Sequence, residues 1–387
     1  MDTHHAGLAA LDASPGNAGF DRYGAMPRTS ARIVLALLGL FLLLAAIAPG
    51  YAPPPPAPPK VTLIDSSGHK VVKEDDNDLR LYRLINARLA RGDDYYVAAT
   101  EEQRSHDYPV APGFTVRLPT LAMVTVALGP NGLIALQIML FVAMILANAR
   151  RLGIEPGGEN RRPMALALLT AGIASGLSAR YNMLHEIWAA QFLALSFGLH
   201  RPGEGRWGAA WIAAAAALAV RELALPFVLL MAAWALWHRR WREGAAWIAL
   251  IAVFAVALSV HLHLAEAQLR PGDPVSPSWL AIRGIAGLMY KVNNSTFLSL
   301  LPVWLSGPFV VLALFGWTGW RTQMGEFGAL LTFGYAVAFM AAGRDNNFYW
   351  GVMITPLLFM GAAFLPIALP ALIRSAGLGR SREPALA

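Results

Sequence analysis

Apolar residues fill this chain in long runs separated by short clusters of charge. Ten stretches contain no Asp, Glu, Lys or Arg: 33–59, 118–149, 163–179, 187–200, 207–220, 223–238, 244–265, 292–320, 327–343 and 346–373. A helix needs about 17–25 apolar residues to cross a bilayer, and most of these runs reach that length. Two of them, 187–200 and 207–220, have 14 residues each and reach it only with their flanking polar pairs. One set of connections is rich in arginine: Arg28 and Arg32, then Arg150, Arg151, Arg161 and Arg162, Arg201 and Arg206, Arg239, Arg240 and Arg242, Arg321, and finally Arg374, Arg380 and Arg382. Lys and Arg concentrate on the cytoplasmic side of membrane proteins. Placing every cluster there requires an even number of crossings between successive ones. That parity divides 207–237 into two short helices with a turn at Arg221-Glu222. It also makes 118–149 cross once, with residues 118–128 interfacial or re-entrant up to Gly129-Pro130-Asn131-Gly132. The pattern predicts an all-α polytopic membrane protein. It would have about ten transmembrane helices, both termini in the cytoplasm, and a large first periplasmic loop carrying interfacial helices.

Composition narrows the picture further. Hydrophobic residues make up 56% of the chain and charged ones 14%, against about 25% charged in soluble domains. A soluble enzyme, a disordered protein and a single-pass anchor are therefore excluded. The net charge of +7 belongs to the loop arginines and predicts no nucleic-acid partner. With no cysteine, disulfides, zinc–thiolate sites, iron–sulfur clusters and a thiol nucleophile are excluded. The organisation expected is a cytoplasmic disordered tail (1–31), a first transmembrane helix (32–50), a periplasmic loop (51–117), a polytopic domain (118–373) and a cytoplasmic tail (374–387). The first helix precedes a polyproline spacer and lacks a close small-x-small cleavage site, so it reads as an uncleaved anchor.

The loop 51–117 is the most informative segment. Val61–Ile64 and Val71-Val72 flank Asp65-Ser66-Ser67-Gly68, a turn-like composition that predicts a short hairpin. The acidic run Glu74-Asp75-Asp76-Asn77-Asp78 then opens a helix reaching Arg91 and stopped by Gly92. Acidic residues there suit the free amides and dipole of a helix start. Asp78 and Tyr82 share a face, while Leu81, Ile85 and Leu89 form an apolar stripe that would lie on the membrane surface. Gly92-Asp93-Asp94-Tyr95-Tyr96 follows, and Arg117-Leu118-Pro119 returns the chain to the bilayer.

The other outward ends are also polar. Arg180-Tyr181-Asn182 and His185-Glu186 bracket one turn, Arg221-Glu222 forms another, and Arg344 to Trp350 marks the last. Charge at membrane depth is costly unless it is paired or faces a wet cavity. Arg221-Glu222 is accordingly either a structural ion pair or part of a substrate site. Lys291, at the outer edge of the 292–320 run, is either a snorkelling lysine or a partner for an acceptor carboxylate or phosphate. The Asn293-Asn294-Ser295-Thr296 run matches a glycosylation acceptor, a match common by chance. Arginines offer bidentate donors to phosphate, and a carboxylate can take a proton from a hydroxyl nucleophile. A lipid phosphate entering from the bilayer would meet both. No Walker or dinucleotide glycine motif is present, so a nucleotide is not expected.

In their order, the Asp78-to-Tyr82 element, Gly92 to Tyr96, Arg117-Leu118-Pro119 and the late Arg344-to-Trp350 segment resemble the GT-C superfamily of polyprenyl-phosphate-dependent glycosyltransferases. The likeness is to the branch of protein O-mannosyltransferases and lipid A aminoarabinose transferases. It covers the chain to about Leu128 and, beyond that, only the Arg344 segment. The resemblance implies an inverting transfer of sugar from a polyprenyl-phosphate donor to a hydroxyl on a glycan, lipid or protein. Asp78 would be the general base, or Asp76 if the register shifts by two. Arg117 would take the place of the lysine in a Lys-Pro-Pro element on the donor phosphate, and Arg344 would hold the same phosphate from the far side. Tyr82, Tyr95, Tyr96, His185, Glu186, Arg221, Glu222, Lys291 and Tyr349 are the substrate-binding candidates. Metal-dependent oligosaccharyltransferases of the superfamily carry a large soluble C-terminal domain not seen here, so no metal and no cofactor are expected. The implied location is the bacterial inner membrane, with a periplasmic site and membrane lipids around it. Two other readings stay open: a lipid-linked sugar flippase or transporter, favoured if Arg221 lies mid-membrane, and an O-antigen polymerase or ligase-like enzyme.

Overall fold

The computed structural model describes residues 19, 22–48, 62–64, 70–72 and 78–378. Among these the chain is helical apart from one hairpin, in which β1 (Thr62–Ile64) pairs antiparallel with β2 (Lys70–Val72), Leu63 opposite Val71. That hairpin occupies the expected place. Its turn residues, the acidic run 74–77 including Asp76, and the polyproline spacer lie outside the described residues.

Helix α1 (Arg28–Ile47) is followed after the hairpin by α2 (Asp78–Leu89) and α3 (Tyr95–Ser105). The long α4 (Thr120–Ile154), α5 (Arg162–Ile173), α6 (His185–Leu199), α7 (Gly208–Val220), α8 (Leu225–Trp237) and α9 (Trp241–Glu266) come next. The chain ends with α10 (Gly284–Asn294), α11 (Val303–Thr318), α12 (Gln323–Ala341), α13 (Thr355–Gly361) and α14 (Leu365–Ser375). Five segments are long and apolar enough to cross a membrane: Arg28–Ile47, Gly113–Ile154, Trp241–Glu266, Gln323–Ala341 and Thr355–Ser375. Three shorter apolar helices accompany them: Gly208–Val220, Glu222–Trp237 and Val303–Thr318.

Two sequence-predicted interruptions are present. Helix α4 breaks at Gly129, whose φ of 66° lies in the region glycine tolerates, and Pro130 cannot donate back across the break. The break lets Leu121 and Leu133 join one buried cluster with Trp188 and Val220. Arg221 adopts an extended conformation between α7 and α8, ending one helix and starting the next.

Glycine sets how closely the helices approach. A Cβ on Gly172 of α5 would collide with the Thr355 carbonyl of α13, and Thr355 Oγ1 donates to the Gly172 carbonyl at 2.7 Å. Gly316 and Gly361 let α11 and α13 touch backbone to backbone, and Gly307 does the same against Ala45 of α1. Small residues at such seams are how helices gain van der Waals contact where lipid removes the hydrophobic drive.

The arginine-rich connections gather at one end of the bundle. Arg32 donates to the Ala376 carbonyl at 3.0 Å, Arg22 pairs with Glu326 at 3.2 Å, and Trp320 Nε1 donates to the Pro156 carbonyl at 2.9 Å. Arg151 reaches the His200 carbonyl, while His200 Nε2 lies 2.6 Å from Glu243, which Arg240 approaches at 3.3 Å. Residues 22–31 depart from the expected disordered tail. Tyr23 stacks on Phe315 with centroids 5.3 Å apart, and α1 already begins at Arg28. The aromatic ring supplies the apolar anchor that a tail of Gly, Ala and Asp was expected to lack.

Candidate functional site

At the opposite end, residues 78–117 of the polar segment before α4 fold onto the helices. Asp78 is the first residue of α2, and Leu81, Tyr82 and Ile85 are buried against Tyr95, Ala99, Val116 and Ala265. Gly92, with φ of 96°, turns the chain. Asp94 caps α3 by accepting from the amides of Tyr96 (2.9 Å) and Val97 (3.1 Å). The predicted acidic-aromatic stretch is thus a helix start, and its register sends Tyr95 inward. Tyr95 Oη donates to the Arg117 carbonyl at 2.7 Å, which fixes the backbone of the arginine. Gln103 Nε2 holds the intervening loop through the carbonyls of Pro109 and Thr115. Arg104 clasps Asp273 (2.5 Å), and Val110 N donates to the Pro274 carbonyl at 2.9 Å.

Arg117 stands at the centre. Its Nε donates to Tyr82 Oη and its Nη2 to Tyr349 Oη, both at 3.2 Å. Burial pushes the Tyr82 hydroxyl up to about 12 and raises Tyr95 as well, so both phenols keep their protons at neutral pH. Behind Arg117 lies a buried charge cluster. Arg221 (1% exposed) places Nε 2.7 Å from Glu186 (0% exposed) and Nη1 against Glu222 at 2.5 Å. Glu186 and Glu222 are close enough to offset the charge of Arg117. His185, the first residue of α6, packs its ring edge-on to Tyr82 at 5.2 Å.

Two cavities meet here. The smaller, about 60 Å³, is lined by Asp78, Tyr82, Tyr95, Gln103, Arg117 and His185 among others. The larger, about 680 Å³, is walled by Asp78, Arg180, Tyr181, Asn294, Thr296 and Tyr349 among others. Its volume falls within the range of small-molecule sites. Asp78 and Tyr108 line both. The structure therefore brings together Asp78, Tyr82, Tyr95, Arg117, His185 and Tyr349, with Glu186, Arg221 and Glu222 directly behind.

Three expected site residues stand elsewhere. Arg344 lines neither cavity; its Nη2 donates to Ser276 Oγ at 3.2 Å, and its guanidinium lies over Trp279 at 5.7 Å. Both contacts come from the loop 267–283. Lys291 is fully buried and donates to the carbonyls of Phe339 (3.3 Å) and Gly343 (3.2 Å) at the end of α12. Two of its donors serve that helix terminus, and it neither snorkels nor faces a cavity. Tyr96 contacts His261 Nδ1 at 3.2 Å and ties α3 to α9. Asp76 lies outside the described residues.

The sequence marks Arg180 as a polar helix exit without placing it in the site, and the run 293–296 reads there as a chance match, although its Asn294, Ser295 and Thr296 furnish one wall of the larger cavity. The signal in both cases was polarity at the outward end of an apolar run. Among the described residues, no group of three His, Asp or Glu side chains is arranged to hold a metal ion. No protein-family model, curated protein or solved structure matches this chain.

Proposed function

We propose that the chain is a GT-C-type membrane glycosyltransferase that moves a sugar from a polyprenyl-phosphate carrier to an acceptor hydroxyl at the periplasmic face of a bacterial inner membrane. The observation that carries this reading is the position of Asp78 on the wall shared by the two cavities, beside Arg117 and in the same large cavity as Arg180. A single carboxylate with separated arginines suits proton removal from an alcohol next to a departing phosphate. The reading includes ten passes: α1, α4 to α9, α11, α12, and α13 with α14 as one. The gathering of the described arginine-rich connections at one end supports that count, since each pass returns the chain to the other end.

The acceptor oxygen attacks the anomeric carbon as Asp78 takes its proton. The bond from that carbon to the phosphate oxygen breaks with inversion, and the polyprenyl phosphate departs with the electron pair. Arg117 and Arg180 offset the charge gathering on it, with Arg180 in the role expected of Arg344. The polar wall at Asn294 and Thr296 and the rings of Tyr181 and Tyr349 furnish hydrogen-bonding and stacking surface for a sugar.

The test is transfer from a radiolabelled polyprenyl-phosphate sugar by purified protein with EDTA present. Asp78→Asn is expected to lower the rate about 10²- to 10⁴-fold, the usual share of a general base, while donor binding survives. Arg117→Ala is expected to weaken donor binding. Equal rates for Asp78→Asn and wild type would remove Asp78 as base. Absence of donor binding by wild type would refute the reading as a whole.

A further inference from the structure

Arg117 presents its Nε–Nη2 edge to two phenols, one from each cavity. Tyr82 lines the small chamber and Tyr349 the large one, and their hydroxyls accept from Nε and Nη2 at 3.2 Å each. Those two N–H groups run parallel and form the fork with which arginine grips two oxygens of one phosphate. The phenol oxygens thus stand where phosphate oxygens would. As neutral acceptors they satisfy a charged donor less well than an anion does, since charge-assisted hydrogen bonds are about twice as strong. Near the same junction, His185 is 4% exposed, and neither ring nitrogen has a hydrogen-bond partner in good geometry.

We infer that Tyr349 is a displaceable placeholder on Arg117. A phosphate monoester or diester entering the large cavity takes its position on Nη2, and the departure of the phenol joins the two chambers across Asp78. This rests on the reading that Arg117 meets the carrier phosphate, and it adds a step: the site is shut until the phosphate arrives. Tyr349 is then a positioning residue that sets donor affinity by competition. Tyr82, held inside α2 next to Asp78, stays as the fixed half of the fork.

The experiment measures binding of sugar-free polyprenyl phosphate to the full-length protein in nanodiscs, for wild type and Tyr349→Phe. Removing one neutral competitor hydrogen bond is expected to tighten binding roughly 2- to 12-fold. An unchanged or weaker affinity in Tyr349→Phe overturns the placeholder while leaving the functional reading intact. Wild type that binds no polyprenyl phosphate sinks the functional reading and the placeholder with it. A fold-neutral second measurement places 3-fluorotyrosine at position 349. Its ¹⁹F resonance is expected to shift on addition of polyprenyl phosphate and to stay put with neutral polyprenol. A resonance that ignores the phosphate lipid overturns the displacement. An equal shift with inorganic phosphate at the same concentration overturns the assignment to a lipid-borne phosphate.

Discussion

Neutralising Arg221 by Arg221→Met removes the only cation among the described residues in ion-pair contact with Glu186, a buried side chain. Breaking a buried pair by deleting one partner costs about 3–5 kcal/mol, because the remaining charge is stranded. Here the contact is a 2.7 Å approach of charges without an aligned hydrogen bond, since Arg221 Nε and Glu186 Oε1 both lack one in good geometry. The cost should therefore fall at the low end, about 3 kcal/mol. Glu186→Gln leaves Arg221 paired with Glu222 and should cost about 1–3 kcal/mol, the penalty for a buried donor group left less well satisfied. The double variant strands no buried carboxylate at Glu186, while Glu222, 24% exposed, keeps access to water. It should be more stable than the sum of the single changes by at least about 1 kcal/mol. Reversible unfolding in mixed micelles, followed by circular dichroism across the four proteins, gives that coupling directly. Additivity to within about 0.5 kcal/mol would refute the argument that these two charges are energetically one unit.

Three other outcomes follow from the geometry. Gly172→Ala forces a methyl into the Thr355 carbonyl at the α5–α13 seam and should destabilise by about 1–3 kcal/mol, checked by the same unfolding titration. Lys291→Met deprives the Phe339 and Gly343 carbonyls of their donor and should cost about 1–3 kcal/mol; donor affinity, read by lipid-phosphate binding, should be unchanged. The Arg104 guanidinium bonded to Asp273 lowers its carboxyl from 3.8 to about 2. Because the folded-state value is depressed, the clasp contributes fully above pH 3.8 and is lost as pH falls toward 2. Amide exchange in α3 should therefore be equally protected by this contact at pH 7 and pH 5, and Asp273→Asn should raise exchange there at both.

What the sequence disclosed was local or set by parity. The Gly129-Pro130 break, the Arg221-Glu222 turn and the helix α2 follow from residue type, spacing and the side on which arginines collect. The Leu81–Ile85 stripe expected on the membrane surface packs instead on Tyr95, Val116 and Ala265, which supply the apolar cover within the protein. Tyr82, Arg117 and Asp78 converge because α2 and the start of α4 are neighbours in the chain and share a small cluster. The misplacements are long-range. Nothing near Arg344 announces Ser276 and Trp279, which lie 68 and 65 residues earlier, and nothing near Lys291 announces the carbonyls of Phe339 and Gly343. An isolated arginine looks the same in sequence whether it faces a ligand or a tryptophan. Arg180 was visible as a polar exit, but only the packing of α5 and α6 beside 294–299 turns that exit into a cavity wall.

The Arg104–Asp273 clasp has a consequence for how the molecule is built. Its partners lie 169 residues apart, and Val110 leans on Pro274 as well. A chain made from its N-terminus therefore completes α2 and α3 long before their fastening exists. Until Asp273, of 387 residues, has been synthesised, the residues around Asp78 and Arg117 are held only by earlier partners such as His185 against Tyr82 and His261 against Tyr96. Completion of the site is thus a late event in biogenesis, and a ribosome-arrested intermediate ending before residue 270 would carry α2 and α3 without the Arg104–Asp273 clasp and without the Tyr349 contact to Arg117.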